Sequence, residues 1–413
     1  MQTDPGDNIG QRLRAVRRQR GMSLRTLAGL AGLSPGFLSM VENGHRHLDR
    51  TGHIVSLAEA LQIAPVELTG MPLAPADVGM DSAHASIPSL RLALMGIPPD
   101  PSRDRRAHPP VPVPALATRV REANRLYHAA EYGHLADGLP GLLNDLHTAA
   151  QTATGADRTV LLGLLADAYH PACTLLLKNL GYTDLAFIAV TRAAEAIAEL
   201  DDPVRTALSG FFHAHVLMSA GSPDQALDRA GQAADVVGRH LAGPGACALL
   251  GELHLMQATC LALDVHRSGA DRTREVGEHL SEAGDLAERV GETKAWHLNF
   301  GPTNVGIHHV SLNTELGLHG KAVSVRPGLN PQILRAPGRQ AAFHADLGRS
   351  LTQLRGRDTE AVVELLEAER VAPQRIHANA SVRGAVATLL ERRLPSHTAR
   401  DLRGLAHRVG LQP

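Results

Sequence analysis

Between residues 17 and 46 the chain sets Arg17, Arg18, Arg25 and Arg46 around a short stretch holding Ser34, Gly36, Phe37 and Ser39. Guanidinium groups grip phosphate oxygens through paired, charge-assisted hydrogen bonds. Serine hydroxyls donate and accept, a glycine lets backbone approach a surface closely, and a phenyl ring can meet a thymine methyl. The chemistry on offer is recognition of a polyanion rather than bond-making. Eight Arg against Asp4, Asp7, Glu42 and Asp49 give the first fifty residues a charge of +4, so the remainder carries −5 to reach the formal net of −1. A basic segment on a slightly acidic body binds phosphates through that segment alone.

Three short helices must position these side chains. Asn8 can cap a first helix with apolar Ile9, Leu13 and Val16 on one face, ended by Gly21. Ser23 can cap a second, Leu24 to Ala31, closed by Gly32. Ser34 is a third cap with Pro35 at the first helical position, where its missing N–H costs nothing, so a third helix should run to about Glu42. The Gly-Leu turn between Ala31 and Ser34 is short enough to hold the last two helices at a steep angle, with the third fit for a major groove. Ser34, Gly36, Phe37 and Ser39 then lie outward toward base edges, and Arg17, Arg18, Arg25 and Arg46 toward phosphates.

This segment resembles the Xre and Cro-type repressor heads. The resemblance rests on Arg20-Gly21-Met22-Ser23-Leu24-Arg25-Thr26-Leu27-Ala28, on Ala31-Gly32-Leu33-Ser34, and on Leu38-Ser39-Met40-Val41-Glu42-Asn43-Gly44-His45-Arg46. It extends to about residue 70, since Ile54 to Leu61 and Pro65 to Leu68 look like the family's fourth and fifth helices. It implies a five-helix head that binds double-stranded DNA, as a homodimer because each head covers only a half-site. Two residues depart from the pattern: Leu24 replaces the Gln that often opens the second helix, and Leu48 replaces a Pro. The contacts of that Gln are not carried over.

Beyond the head, 413 residues imply more than one domain. An apolar fraction of 44% with only 3% aromatic residues calls for a core of Ala, Leu and Val, which suits close-packed helices and an all-α fold. Cys173, Cys247 and Cys260 stand too far apart for a disulfide framework or zinc knuckle, as a reducing cytoplasm would have it. No signal-like start and no run approaching eighteen apolar residues is found, so a soluble chain with no membrane partner is expected.

A proline-rich linker, residues 71–114, follows the head (residues 1–70). Within it Ser86 to Met95 can cap and form a short helix, and residues 100–114 should be extended. From 115 to 413 a repeat emerges: a Gly closing one helix and an Ala five residues later opening its partner, at Gly181 and Ala186, Gly221 and Ala226, Gly317 and Ala322, Gly356 and Ala361. Further small residues recur at Ala193, Ala233 and Ala368, and Pro373 ends the last copy. Leu249 to Glu292 is a further unit with a long polar turn, His266 to Arg274, and Pro327 cuts the fourth copy short. These spacings resemble tetratricopeptide repeats and imply a superhelical array of five or six helical pairs. Its concave wall should be lined by the first helix of each pair. That places Lys178, Asn179, His215, Asn304, Ser311, Thr314 and Glu315 toward the groove, where amides can pair with a peptide backbone and Lys178 with a carboxylate.

The twenty-three histidines include His308-His309, His213 with His215, and His170 with Cys173, none giving three ligands at metal-site spacing. Phosphate-loop, nucleophile-elbow and His-Glu-x-x-His motifs are missing too, so neither cofactor nor catalysis is expected. Two readings remain. One is a transcriptional regulator whose array senses a peptide, small molecule or protein, an architecture that resembles peptide-pheromone receptors and many regulators of high-GC actinobacteria, with which 38 Arg to 3 Lys agrees. The other is an interaction adaptor or antitoxin-like protein that holds a small protein partner and autoregulates through DNA binding.

Overall fold

The computed structural model describes residues 9–70, 78–96, 111–268, 271–377 and 379–411. The expected cap at Asn8 and the extended run over 100–110 lie outside them. Among the described residues the chain is a helical head followed by a helical array, without strands.

The head comprises α1 (Ile9–Gln19), α2 (Leu24–Leu30), α3 (Pro35–Glu42), α4 (Thr51–Leu61) and α5 (Pro65–Thr69). Its local signals are met. The Ser23 hydroxyl accepts from the Thr26 N–H at 3.0 Å and the Ser34 hydroxyl from the Phe37 N–H at 3.1 Å, each satisfying an orphan donor of its helix. The turn between α2 and α3 bends the chain by 113°, the steep crossing expected of such a pair. Leu13, Leu27, Leu38, Leu57, Leu61 and Leu68 close one small core.

Two helices precede the array, α6 (Val78–Ala85) and α7 (Ile87–Leu94). The sequence points only to α7, and Ser86 does not cap it: with α6 running straight into it, the Ser86 hydroxyl donates back to the Ser82 carbonyl at 3.3 Å. Both pack on α9 (Tyr132–Thr152), and Arg192 reaches the Leu94 carbonyl at 3.2 Å. The linker is therefore partly part of the body.

The array begins one residue pair earlier than the prolines suggest, at α8 (Val113–Ala129), because Pro114 sits in its first turn, where proline is tolerated. After α9 come α10 (Gly155–Ala168), α11 (Thr174–Asn179), α12 (Thr183–Ala198), α13 (Pro203–Ser219), α14 (Pro223–Gly238), α15 (Gly243–Ser268), α16 (Thr273–Val290), α17 (Pro302–Glu315), α18 (His319–Ser324), α19 (Pro337–Thr352), α20 (Asp358–Val371), α21 (Pro373–His377), α22 (Ala380–Leu390) and α23 (Ser396–Arg408). The repeat glycines Gly181, Gly221, Gly317 and Gly356 all take left-handed φ of 75–87° at helix ends, and Ala186, Ala226, Ala322 and Ala361 are fully buried. Small residues set the spacing: a methyl on Gly210 of α13 would come within 2.9 Å of Ala233 Cβ on α14. Of the long polar turn expected over 266–274, the described residues 266–268 and 273–274 are helical and 271–272 are not: α15 runs to Ser268, and Asp271 accepts from the Thr273 N–H at 2.9 Å to start α16. Pro327 does shorten α18.

Two stretches, 155–179 and 243–265, are long and apolar enough by length and composition to cross a membrane, against the expectation from continuous apolar runs. Their apolar surface is spent on the array, which buries 78% of each.

The first helices of successive pairs, α11, α13, α15, α17 and α19, touch one another and α22 in turn, forming a continuous inner wall. The wall then closes on itself. α8 packs against α19, His128 of α8 meets the His297 carbonyl at 2.8 Å, and Gln374 accepts from the Tyr132 N–H at 2.7 Å. The groove becomes a chamber that stays partly open to solvent.

Candidate nucleic-acid interface and ligand cavity

On the head, Arg18, Arg25, Ser34, Gly36 and Arg46 are exposed over α1 to α3, and Ser39 is half-buried. Phe37 is half-buried as well, its ring edge-on to His53 with centroids 5.3 Å apart and the Arg46 guanidinium 5.3 Å above it. It belongs partly to the core and orients Arg46. Nothing approaches the missing Cβ of Gly36. Leu30 of α2 and Met40 of α3 are exposed apolar residues of the same two helices.

Arg17 does not join them. Its side chain is buried in a bidentate ion pair with Glu42, at 2.5 and 2.8 Å, and also donates to the Met22 carbonyl at 2.7 Å. The Glu42 hydrogen bond holds its pKa above the usual guanidinium value. Arg17 falls on the inner side of α1, where it ties α1 to the end of α3, so a phosphate has no access to it.

The opposite face of the head, α4 with the turn before it, is docked on the array. Gly52 to Ala58 are buried without a break, because α4 lies between the head's core and α15. At the seam Arg349 donates to the Asp49 carbonyl at 2.9 Å and to Glu315 at 2.8 Å. Glu315 in turn accepts from the Thr51 hydroxyl at 3.1 Å and the Gly52 N–H at 3.3 Å. Arg50 contacts His319 at 3.2 Å, His47 contacts Glu391 at 3.1 Å, and Gln353 bonds to Asp49. α22 meets the Leu48 backbone at Gly384, where there is no room for a methyl group.

Behind this seam lies the chamber, about 360 Å³ in volume. Six of the seven expected groove residues line it: Lys178, Asn179, His215, Asn304, Ser311 and Glu315. Thr314 does not. It points into the packing between α17 and α19, with its hydroxyl 2.8 Å from both the Val310 carbonyl and Ser350. Glu315 reaches the chamber with its carboxylate already committed to the seam. A second cavity of about 300 Å³ shares Lys178, Asn179, Met218, Leu263, Arg375 and Thr51 with the first and is walled by Ile54, Val55 and Pro65 of the head.

Sequence spacing missed Arg339, Arg375, Glu252 and His308, which add to the polar lining beside Thr51, His128, Thr259, His297 and Asn299. A lone charge inside an apolar helix, as in Leu249-Leu250-Gly251-Glu252-Leu253, was the available signal. Arg339 donates twice to the Asn304 amide oxygen, at 2.9 and 2.6 Å, and Asn304 donates to Glu252 at 2.8 Å. Burial pushes the Glu252 carboxyl up to about 7 against the pull of Arg339 and Asn304. Burial, helped by Arg375, pushes the Lys178 ammonium down to about 8. His215 and His308 are held well below the usual imidazole value by burial and by the surrounding cations, so both are neutral near pH 7. His215 Nδ1 has no hydrogen-bond partner. Apolar walls come from Tyr127, Leu175, Phe211, Met218, Met256 and Leu298. Among the described residues no three His, Cys, Asp or Glu side chains converge as a metal would require.

Residues 8–69 match the family described as "Helix-turn-helix domain". The HTH-type transcriptional repressor RghR of Bacillus subtilis (strain 168) is 39% identical over 57 residues, 14% of this chain and 42% of the relative, so the chain spans about two-fifths of the length of the curated relative it matches. Among solved structures, PlcR of Bacillus thuringiensis in complex with the peptide PapR7 and DNA aligns over 69% of this chain and 95% of its own, with 15% identity and a TM-score of 0.34. Residues 8–69 are thus a helix-turn-helix domain, joined here to a C-terminal helical array.

Proposed function

We propose that this chain is a sequence-specific DNA-binding transcriptional regulator of the cytoplasm, not an enzyme, whose array senses a ligand in the chamber behind the docked head. One observation carries the reading: the head leaves α2 and α3 open, with Arg25, Gly36 and Arg46 exposed, while α4 on its other side is fixed to the wall of a polar chamber. DNA meets one face of the head and the array holds the other. A ligand that binds the docked and undocked arrangements unequally shifts their populations and so the head's freedom on DNA. The glycine and alanine spacing of the helical pairs supports a tetratricopeptide-like array, and the half-site footprint of such heads supports a homodimer. The 39% identity to a named repressor over the head agrees with DNA binding. Contact of α8 with α19 narrows the concave wall, which favours a small ligand over the protein partner of the adaptor reading.

The test is selection of bound fragments from random double-stranded DNA by the full chain near physiological salt, beside Gly36→Glu. The open space at Gly36 accommodates the longer side chain, while its carboxylate repels phosphates. An enriched palindrome with half-sites about one helical turn apart, lost in the variant, is expected. An unenriched pool, or the same palindrome from Gly36→Glu, would overturn the reading.

A further inference from the structure

Three cations line the chamber, Lys178, Arg339 and Arg375, against one carboxylate that is not committed elsewhere, Glu252. They crowd one another. Arg375 depresses the basicity of both Lys178 and Arg339, and all three depress that of His215. Arg339 is satisfied by Asn304, and Arg375 lies against the Tyr132 hydroxyl. Lys178 has no hydrogen-bond or ion-pair partner among the described residues, although most of its side chain is out of water. A half-buried ammonium without a protein partner is left to be met by solvent or by an anionic group entering the chamber. The positive groups face apolar walls from Leu175, Phe211, Met218 and Met256. The volume, about 360 Å³, suits a small molecule, and the contacts of α8 with α19 and of His128 with residues 297 and 299 interrupt the inner wall on that side.

We propose that the chamber binds a small amphipathic acid, with its carboxylate or phosphate held by Lys178 and Arg375 and its apolar body against Phe211, Met218 and Met256. This rests on the reading of the chamber as the sensing site and names its ligand class. Neutral His215 and His308 add donors around the acid, and Glu252 with Asn304 positions Arg339 at the far side. Thr51 of the head lines the same chamber and bonds to Glu315, so the acid sits beside the seam that fixes the head.

The experiment is isothermal titration of the full chain at pH 7 with phenyl phosphate, phenylacetate and octanoate, and with benzyl alcohol, octanol and inorganic phosphate as partners lacking either the charge or the apolar body. At least one acid is expected to bind tenfold or more tighter than its neutral counterpart, and phenyl phosphate tenfold tighter than inorganic phosphate. Lys178→Met should lose that advantage while raising the melting temperature of the ligand-free protein, and Lys178→Arg should restore it. The proposal is overturned by any of three outcomes: no acid binding at millimolar concentration, neutral compounds binding as well as acids, or Lys178→Met binding the acids unchanged with an unshifted melting temperature. A chain that takes the acid but enriches no DNA loses the regulator and keeps the site. One that enriches a palindrome but takes no acid loses only the site.

Discussion

Truncating Arg17 to Ala leaves the Glu42 carboxylate, 5% exposed, without its partner between α1 and α3. Breaking a buried pair from one side costs about 3–5 kcal/mol, so the head should unfold at clearly lower urea concentration. Arg46→Ala is the opposite case. Its side chain is exposed, so stability should move by less than about 0.5 kcal/mol. DNA affinity should fall about equally for all sequences, with the slope of log K against log salt reduced by about 1 in a filter-binding series. Equal urea midpoints for the two variants would show that Arg17 is not a buried strut between α1 and α3. Both are arginines in a basic run, and sequence spacing alone assigned both to phosphate. The difference is one of rotation: Arg17 falls on the same side of α1 as Leu13 and meets the carboxylate at the end of α3. A three- or four-residue period carries that information for apolar residues, and it is easily overlooked when the residue on the inner stripe is charged.

At the scale of elements, helices with their own caps and closing glycines were legible. Ser23, Ser34, Pro35 and the four repeat glycines act within a few residues of themselves, and α2, α3 and the array's hairpins stand as their spacing requires. Docking of α4 had a signal as well, for Gly52-His53-Ile54-Val55-Ser56-Leu57-Ala58 offers no charged face, and a helix apolar all round is a buried helix. What covers it could not be read, because the covering residues lie hundreds of positions away. The seam can be tested at Gly384. Gly384→Ala places a methyl against the Leu48 carbonyl without touching the chamber or the open face of the head. Faster amide exchange at residues 48–58 and a larger radius of gyration are expected, with the array's own exchange unchanged. Exchange as slow as in the parent would mean that the seam yields without release. Within the array, Gly210→Ala should cost about 1–3 kcal/mol by forcing α13 and α14 apart, measured as a lower melting temperature.

For the molecule as a whole, closure of the array was the part the sequence hid. Repeats specify each neighbour's contact, but the ring formed by α8 against α19 depends on small rotations summed over the intervening helices, and so the groove residues were legible while the chamber was not. Closure sets the chamber's response to pH. Glu252, raised to about 7, and Lys178, lowered to about 8, both make the lining less positive as pH rises from 6 to 9. Acid affinity should fall across that interval, and Glu252→Gln should confine the fall to the upper half, as titrations at three pH values would show. The same shifts act on the ligand-free fold. Glu252 destabilises it progressively as pH rises from 4.5 to about 7, whereas the penalty from Lys178 is complete below about 8 and is relieved toward 10.5.

The seam also imposes an order in time. Glu315, Arg349 and Glu391 follow the head residues they hold by 263 to 344 positions. Translation at ~5–20 residues per second delivers them roughly 10–70 s after the head has left the ribosome. Every new molecule therefore begins with its head unrestrained by the array, and the seam closes only once nearly the whole chain has been made.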